Sequence, residues 1–351
     1  MMADQTAECD VAVIGAGMAG LCAAGVAIAA GLRVAVIDKA RGVGGRMATR
    51  RLGAAVVDHG AQFFTARGAD FHAIVADGCE RGSVIPWCSG FARSTAIDRP
   101  ATPAEDGHPR YRGAKGMTDL PKLLAERLVH ATGPLRTNAR VTAITVTDSR
   151  VRLALDGGDE VVARGCVVTP PVPQALDLFA AGGLLAPAAR FIDVEVHRLL
   201  ASVAYDPCFA LMLVLDQPSR LPAPGGVQFE SGPIAWIADN QQKGISPVPA
   251  LTIHASGDFS RARFDDPPED VMQAMRSAAA PWIGGATVVE QSLQRWKYAL
   301  PTTVLEVPFV AASTAPTIVC CGDAFAGPKV EGAASSGMAA GRWLVEILGR
   351  A

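Results

Sequence analysis

The sequence predicts an α/β protein: a strand–helix–strand unit on a parallel sheet, joined to a second domain built on another sheet. Three observations carry this. A β-rich run at 10–14 passes through a Gly-rich turn into an Ala-rich segment and a second apolar run closed by Asp38. A strand-like run at 317–321 feeds another Gly-rich turn and a last Gly/Ala/Ser-rich segment. Between them, 174–295 alternates β-rich runs with one helical stretch.

Composition bounds the rest. Of 351 residues half are hydrophobic and 19% charged, enough for two domains with real cores. A net charge of −2 gives no reason to expect nucleic acid or an anionic membrane as partner. The acidic opening MMADQTAECD lacks a signal peptide's basic flank, and the apolar stretch 21–37 is broken by Gly31 and Arg33. A cytoplasmic protein without a membrane span is expected. Eight Cys without Cys-x-x-Cys spacing and six scattered His suggest no metal site. The thiols read as small buried hydrophobes in a reducing compartment, with Cys320 and Cys321 on opposite faces of one strand.

The first unit reads residue by residue. Asp10-Val11-Ala12-Val13-Ile14 is a strand, and Gly15-Ala16-Gly17-Met18-Ala19-Gly20 follows at once. Gly15 permits the tight turn, Gly17 lets the backbone approach a pyrophosphate, and Gly20 lets helix and strand pack. The helix at 21–30 stops at Gly31, and its N-terminus, with Met18 and Ala19, offers free N–H groups to phosphates. Asp38 closes the second strand, where it can accept from a ribose hydroxyl. Strand, glycines, helix and acid together predict a Rossmann-type dinucleotide site.

Three further stretches choose the dinucleotide. The pattern Asp38-Lys39-x-Arg41-Gly42-x-Gly44-Gly45-Arg46-x-x-Thr49 resembles the second fingerprint of flavoproteins of the amine oxidase superfamily. Asp58-His59-Gly60-Ala61-Gln62-Phe63-Phe64 resembles another motif of that superfamily. A third likeness is strand, Gly322-Asp323, loop, then Val330-Glu331-Gly332-Ala333 opening a helix to about residue 348. The resemblance implies non-covalent FAD in a Rossmann-type domain of p-hydroxybenzoate hydroxylase-like topology. It implies that Gly44, Gly45 and Arg46 line the pyrophosphate, with Lys39 beside them. It puts Gly60, Ala61, Gln62 and Phe63 at the isoalloxazine ring, Phe64 toward the substrate, and Val141 at the adenine. Asp323 would take a ribityl hydroxyl, and the 330–333 helix start would face the pyrimidine edge. Arg46 also reads as a solvated loop cation, and Arg50 and Arg51 as surface residues or helpers of substrate phosphates.

The middle of the chain supplies a helix at 118–130, strands at 141–147 and 151–155 with a turn at 148–150, and a third strand at 160–163. Strands are expected at 210–215, 226–229, 234–237 and 251–256, a helix at 269–282, and a Pro-rich loop at 99–110. The expected division is 1–64, 113–173 and 301–351 for the FAD domain, and 65–112 and 174–300 for the substrate domain.

Tyr205-Asp206-Pro207-Cys208, the run from Trp236 to Lys243, and Arg295-Trp296-Lys297-Tyr298-Ala299-Leu300-Pro301 are similar to stretches of bacterial renalase-like proteins, a branch of that superfamily. The resemblance implies oxidation of 2- or 6-dihydro isomers of NAD(P) to NAD(P)+, with hydride passing to FAD and dioxygen reduced to hydrogen peroxide. A dihydropyridine needs no strong base, and no Ser/His/Asp or Cys/His arrangement stands out. No catalytic side chain is certain; Tyr298, Lys297 and His59 are candidates, although a His at a strand-to-loop transition is more often a hydrogen-bonded structural residue. Trp296 and Tyr298, alternating on a strand, line the substrate pocket or pack a core. Asn240 and Lys243 bind substrate or are exposed turn residues. A flavin amine oxidase, a desaturase-type enzyme on a lipid or tetrapyrrole, and a non-catalytic flavin-binding protein stay as alternatives. Against the first, the chain has just three Tyr for an aromatic cage.

Overall fold

The computed structural model describes residues 6–129, 135–147, 149–186 and 191–349. Two compact units emerge, each assembled from separate segments: Met1–Gly45, Pro121–Ala204 and Pro301–Ala351 form the first, Arg46–Leu120 and Tyr205–Leu300 the second.

In the first unit the apolar run after Asp10 becomes the strand Thr6–Ile14, at the heart of a sheet ordered Val310–Thr314, Thr317–Cys320, Glu160–Val168, Thr6–Ile14, Val34–Ile37, Leu135–Arg136. The pairings from Thr317–Cys320 through to Leu135–Arg136 are parallel. A parallel sheet needs helical cover on its faces, so its strands read as unbroken apolar runs; Val34–Ile37 is buried throughout. Val141–Thr147 and Arg150–Leu155 extend the third strand as an antiparallel meander; Asp148 of the expected turn lies outside the described residues. The helices Met18–Ala29 and Val330–Gly349 pack against each other at backbone distance. A Cβ on Gly337 would sit 2.1 Å from the Ala19 carbonyl oxygen, and one on Gly341 2.9 Å from that of Ala23. Gly337 and Gly341 therefore serve helix–helix packing, where the sequence suggested that the small residues of this helix approach a flavin. The helix expected at 118–130 is Asp119–Val129; His130 lies outside the described residues.

The second unit is built on a sheet ordered Val288–Pro301, Tyr205–Leu215, Ala250–Ala255, Ile234–Asp239, Gly226–Phe229, Ala92–Ser94. The helix Pro268–Ile283 places Val271, Met272 and Met275 in a core with Leu211, Ile237 and Ile253. Two antiparallel strand pairs complete the unit: the hairpin Thr49–Leu52 with Ala55–Asp58, and Val84–Gly90 with Glu105–Gly113.

Three expectations need correction. First, the chain passes between units after residues 45, 120, 204 and 300, not after 64, 112 and 173. Ala55 and Val57 of the first hairpin share a core with Met212, Val214 and Ala250, which draws 46–64 into the second unit. Residues past Pro173 form the helices Val172–Ala181 and Val194–Ala201 and stay with the first; Gly182, ending the former, lies so close to the Ile144 backbone that a Cβ would sit 1.7 Å from its oxygen. Second, the supposed loop at 99–110 contains the start of Glu105–Gly113. Register shifts at Cys88 and Gly90 of its partner strand let the chain absorb Gly107 and Pro109. Third, the helices Ala69–Glu80 and Gly257–Ala262 and the strand Val310–Thr314 were not anticipated. Among the described residues no helix is long and apolar enough to cross a membrane, and no cluster of His, Cys, Asp or Glu is placed to hold a metal.

Candidate active site

The nucleotide cradle of the first unit is made of backbone. Gly15 adopts φ +102°, a region L side chains rarely enter. Its neighbour Thr169 donates its hydroxyl to the Ile14 carbonyl at 2.7 Å. A Cβ on Gly20 would meet the Gly15 carbonyl oxygen at 1.9 Å, so this glycine is fixed by packing. Gly17 differs: a Cβ there would meet nothing within 4 Å. It is extended (φ −78°, ψ −179°) and caps Met18–Ala29 without a side-chain hydrogen bond or an acid in the first turn. The first N–H groups therefore face an open surface with their partial positive charge uncompensated by side chains.

The second fingerprint lies on the first. Gly44 (φ +111°) donates its N–H to the Ala16 carbonyl at 2.8 Å, and Gly45 (φ +54°) points its missing Cβ at Gly17 Cα, 3.5 Å away. Asp38 braces the same turn. Its Oδ2 accepts from Ala16 N–H and its Oδ1 from Ala40 N–H, both at 2.7 Å. The sequence assigns Asp38 to a ribose hydroxyl; its two bonds to backbone N–H groups of the turn are a role that spacing does not reveal. Lys39 Nζ donates to Gln174 Oε1 at 3.1 Å. Val141 is buried at the start of its strand.

At the far end, Gly322 donates its N–H to Ser336 Oγ at 2.9 Å, and Asp323 is buried beside it. Val330, Glu331, Gly332 and Ala333 make the first turn of the last helix. A Cβ on Gly332 would sit 1.8 Å from the Gly327 oxygen, so that glycine answers to its own chain. Cys22 and Cys320 are buried, which pushes their thiols up to about 12.

In the second unit, the segment 58–64 is held by a buried polar network. Lys243, 1% exposed, donates from Nζ to Asp58 Oδ2 and to the Gln62 carbonyl, both at 2.6 Å, and stands 5.0 Å from the Trp87 ring centroid. Burial pushes its ammonium below the ordinary lysine value, while Asp58 opposes that shift. Asp58 also accepts from Thr49 Oγ1 and Met117 N–H, and its carbonyl takes Thr252 Oγ1 and Gln62 Nε2. Asn240, fully buried, accepts from Asp58 N–H and donates to Ala250 O and Thr252 Oγ1. Asn240 and Lys243 are thus neither exposed turn residues nor placed as substrate ligands; their polar atoms are spent inside the unit. Gly60 is small because Arg46 O would lie 1.9 Å from its Cβ, a packing reason the sequence did not reveal. Ala61 donates its N–H to that same oxygen. Gln62 Oε1 is buried with no partner among the described residues.

The aromatic pair splits differently from expectation. Phe64 is 3% exposed and packs on Phe71 and Tyr111, so it belongs to the core and not to a substrate surface. Phe63 is the partly exposed one. Trp296 and Tyr298 are half-buried and Lys297 between them is exposed, the alternation a strand demands. Trp296 stacks on His59 at 5.5 Å and donates Nε1–H to the His59 carbonyl at 2.8 Å. Tyr298 meets Tyr205 edge-on at 5.6 Å, and Lys297 Nζ lies 5.5 Å from the Tyr298 ring centroid. Burial, with Arg50 as the next cause, pushes His59 down to about 4, so its ring is neutral at pH 7. Arg46 donates from Nη1 to the Tyr298 and Ala299 carbonyls, which removes the solvated-cation reading.

An open glycine backbone, an uncapped helix N-terminus and an acid bracing both make a Rossmann-type dinucleotide site, which together with the family match below defines an FAD-dependent oxidoreductase. The comparisons place it further. The description NAD(P)-binding Rossmann-like domain matches residues 13–76, and Flavin containing amine oxidoreductase matches 102–342. The chain belongs to the flavin containing amine oxidoreductase family. Solved structures share its fold. Cyclohexylamine oxidase from Brevibacterium oxydans superposes with a TM-score of 0.71 at 14% identity, covering 97% of this chain and 100% of that one. Putrescine oxidase bound to putrescine gives 0.70 at 16% identity over 97% and 100%. An oxidoreductase from Methanosarcina mazei gives 0.69 at 13% over 94% and 99%.

Proposed function

We propose that this chain is a renalase-like flavoprotein oxidase that returns 2- or 6-dihydro isomers of NAD(P) to NAD(P)+. FAD, when bound, supplies the hydride acceptor and the route for electrons to dioxygen. The protein's own residues hold and shape. The Gly15–Gly20 turn with Gly44 and Gly45 would bind the pyrophosphate, and Asp38 keeps that turn in place.

The observation that carries the reading is the charge around the His59–Trp296 stack. Asp58 is tied to Lys243, His59 is neutral, and Arg50 is held by the neutral acceptors Ser292 Oγ (3.2 Å) and Gln294 Oε1 (2.9 Å). This surface offers a positive charge and, with Asp58 paired and His59 held near 4, no strong base. A dinucleotide substrate is anionic, and a dihydropyridine aromatises on losing hydride without a base to help it. A cationic amine gains nothing from Arg50.

An amine substrate is the second reading, favoured by the Tyr205–Tyr298 pair as an incipient aromatic cage and by the amines named for the two oxidases above. The test is anaerobic. The FAD-loaded protein is mixed with 2- and 6-dihydro isomers of NAD(P), ordinary 4-dihydro NAD(P)H and an amine panel, and flavin absorbance is followed. Bleaching by the isomers alone, with NAD(P)+ formed, is expected. Bleaching by an amine, or by none of them, overturns the proposal.

A further inference from the structure

The second unit contains a cavity of about 230 Å³ that the buried network does not explain, walled by Phe63, Phe91, Arg93, Asp106, Arg110 and Gln228. Its floor is aromatic. The Phe63 and Phe91 rings lie 4.8 Å apart and inclined by 48°, and Trp87 and Trp236 each meet Phe91 edge-on at 4.8 Å. Its rim is charged. Arg110, 5.9 Å from the Phe63 centroid, grips both carboxylate oxygens of Asp106 at 2.8 and 2.6 Å, so that pair is neutral as a whole. Arg93 is exposed and leaves one positive charge in surplus. Gln228 is also exposed and is the register partner of Arg93 on the neighbouring strand, so both side chains stand on one face of the sheet.

Each wall excludes a class of ligand. An apolar molecule would strip water from Arg93 and from the Asp106–Arg110 pair without replacing it. A free inorganic anion would leave the aromatic floor unused. An amine would face the surplus cation. A flat ring joined to a phosphate uses both the floor and the surplus cation of the rim: rings stack on aromatic side chains and guanidinium binds phosphate in a planar fork. The cavity also begins where the 58–62 segment ends, because Phe63, the next residue, lines it.

We propose that this cavity is a nucleotide subsite that takes the adenosine-phosphate end of the substrate, the base on Phe63 and Phe91, the phosphate at Arg93. It rests on the dinucleotide reading above and deepens it. The test titrates FAD-loaded protein with ADP-ribose, which lacks the nicotinamide, and follows tryptophan fluorescence, since Trp87 and Trp236 back the floor. Wild type should show a saturable change. Arg93→Ala, a substitution on an exposed side chain, should bind ADP-ribose about tenfold more weakly and raise KM for the dihydro isomer to match, with kcat unchanged. Gln228→Ala should act in the same direction. Absence of saturable binding in wild type, or equal affinity in Arg93→Ala, overturns the subsite. Oxidation of the isomers with Arg93-independent ADP-ribose binding sinks the subsite alone. Arg93-dependent ADP-ribose binding without oxidation keeps the cavity as a nucleotide site and sinks the substrate assignment.

Discussion

Lys243→Met removes the cation that closes the 58–62 segment. The replacement fills similar volume, so cavity formation contributes little. What it leaves is a carboxylate, Asp58, with no exposed surface and no counter-charge from Lys243, and the Gln62 carbonyl without its 2.6 Å donor. Removing one member of a buried ion pair costs about 3–5 kcal/mol. Against a total stability of about 5–15 kcal/mol this is severe, and it should lower Tm by roughly 10 °C for a unit of this size. Asp58 keeps Thr49 Oγ1 and Met117 N–H, which puts the expected loss near the lower end. Thermal melts followed by circular dichroism and by Trp87 fluorescence measure it. Asp58→Asn in the Lys243→Met background removes the stranded charge and should recover about half the loss, a coupling that a double-mutant cycle reads directly. A single-mutant loss below about 1 kcal/mol, or no recovery in the double mutant, would refute the account of a dry, mutually dependent pair.

Gly17→Ala should leave the melt of the apoprotein unchanged while weakening FAD binding at least about tenfold, because its Cβ meets no protein atom. Gly20→Ala should do the reverse in order of severity, destabilising the fold itself through the 1.9 Å clash with Gly15; equal melts for the two variants would contradict this. His59 has a folded-state value near 4 against 6.5, so the unfolded chain binds more protons between them. The stability this gives is complete above about pH 6.5 and is lost as pH falls through 4, about 3 kcal/mol in all. His59→Gln should flatten that part of the pH–stability curve, and an unchanged slope would show the ring is charged when folded. Trp296→Phe loses the hydrogen bond to His59 O but keeps the stack, and denaturant titration should find about 1 kcal/mol less stability.

What was readable in the sequence follows from how local its causes are. The strand before Gly15, the helix after Gly17 and the strand before Asp38 are neighbours in sequence and contact each other within one unit, so spacing alone revealed them. The strands within 205–255 were readable because each is a β-rich apolar run, and the structure buries most of every run. Lys243 was not readable. Its burial depends on Asp58, far away in sequence, and a run ending Asn240-Gln241-Gln242-Lys243 has every local mark of an exposed turn. Gly60 misled for a related reason: glycine says that something comes close, and here the neighbour is the Arg46 carbonyl, which spacing cannot name. The domain boundaries slipped because hairpin 49–58 and the helices after Pro171 are ordinary elements whose allegiance is decided by which core receives them.

The first unit draws its sheet from three stretches of chain, and the last is structurally inside it. Thr317–Cys320 pairs in parallel with Glu160–Val168, and the closing helix lies on Met18–Ala29 through Gly337 and Gly341. During synthesis, the nucleotide turn is therefore made well before the elements that complete its unit. Until about residue 349 has left the ribosome, one face of the opening helix has no partner and the sheet ends in an open edge. The nucleotide cradle of this unit therefore waits on the 310–349 stretch, and a nascent chain stalled at residue 300 should stay open to protease whatever the FAD concentration.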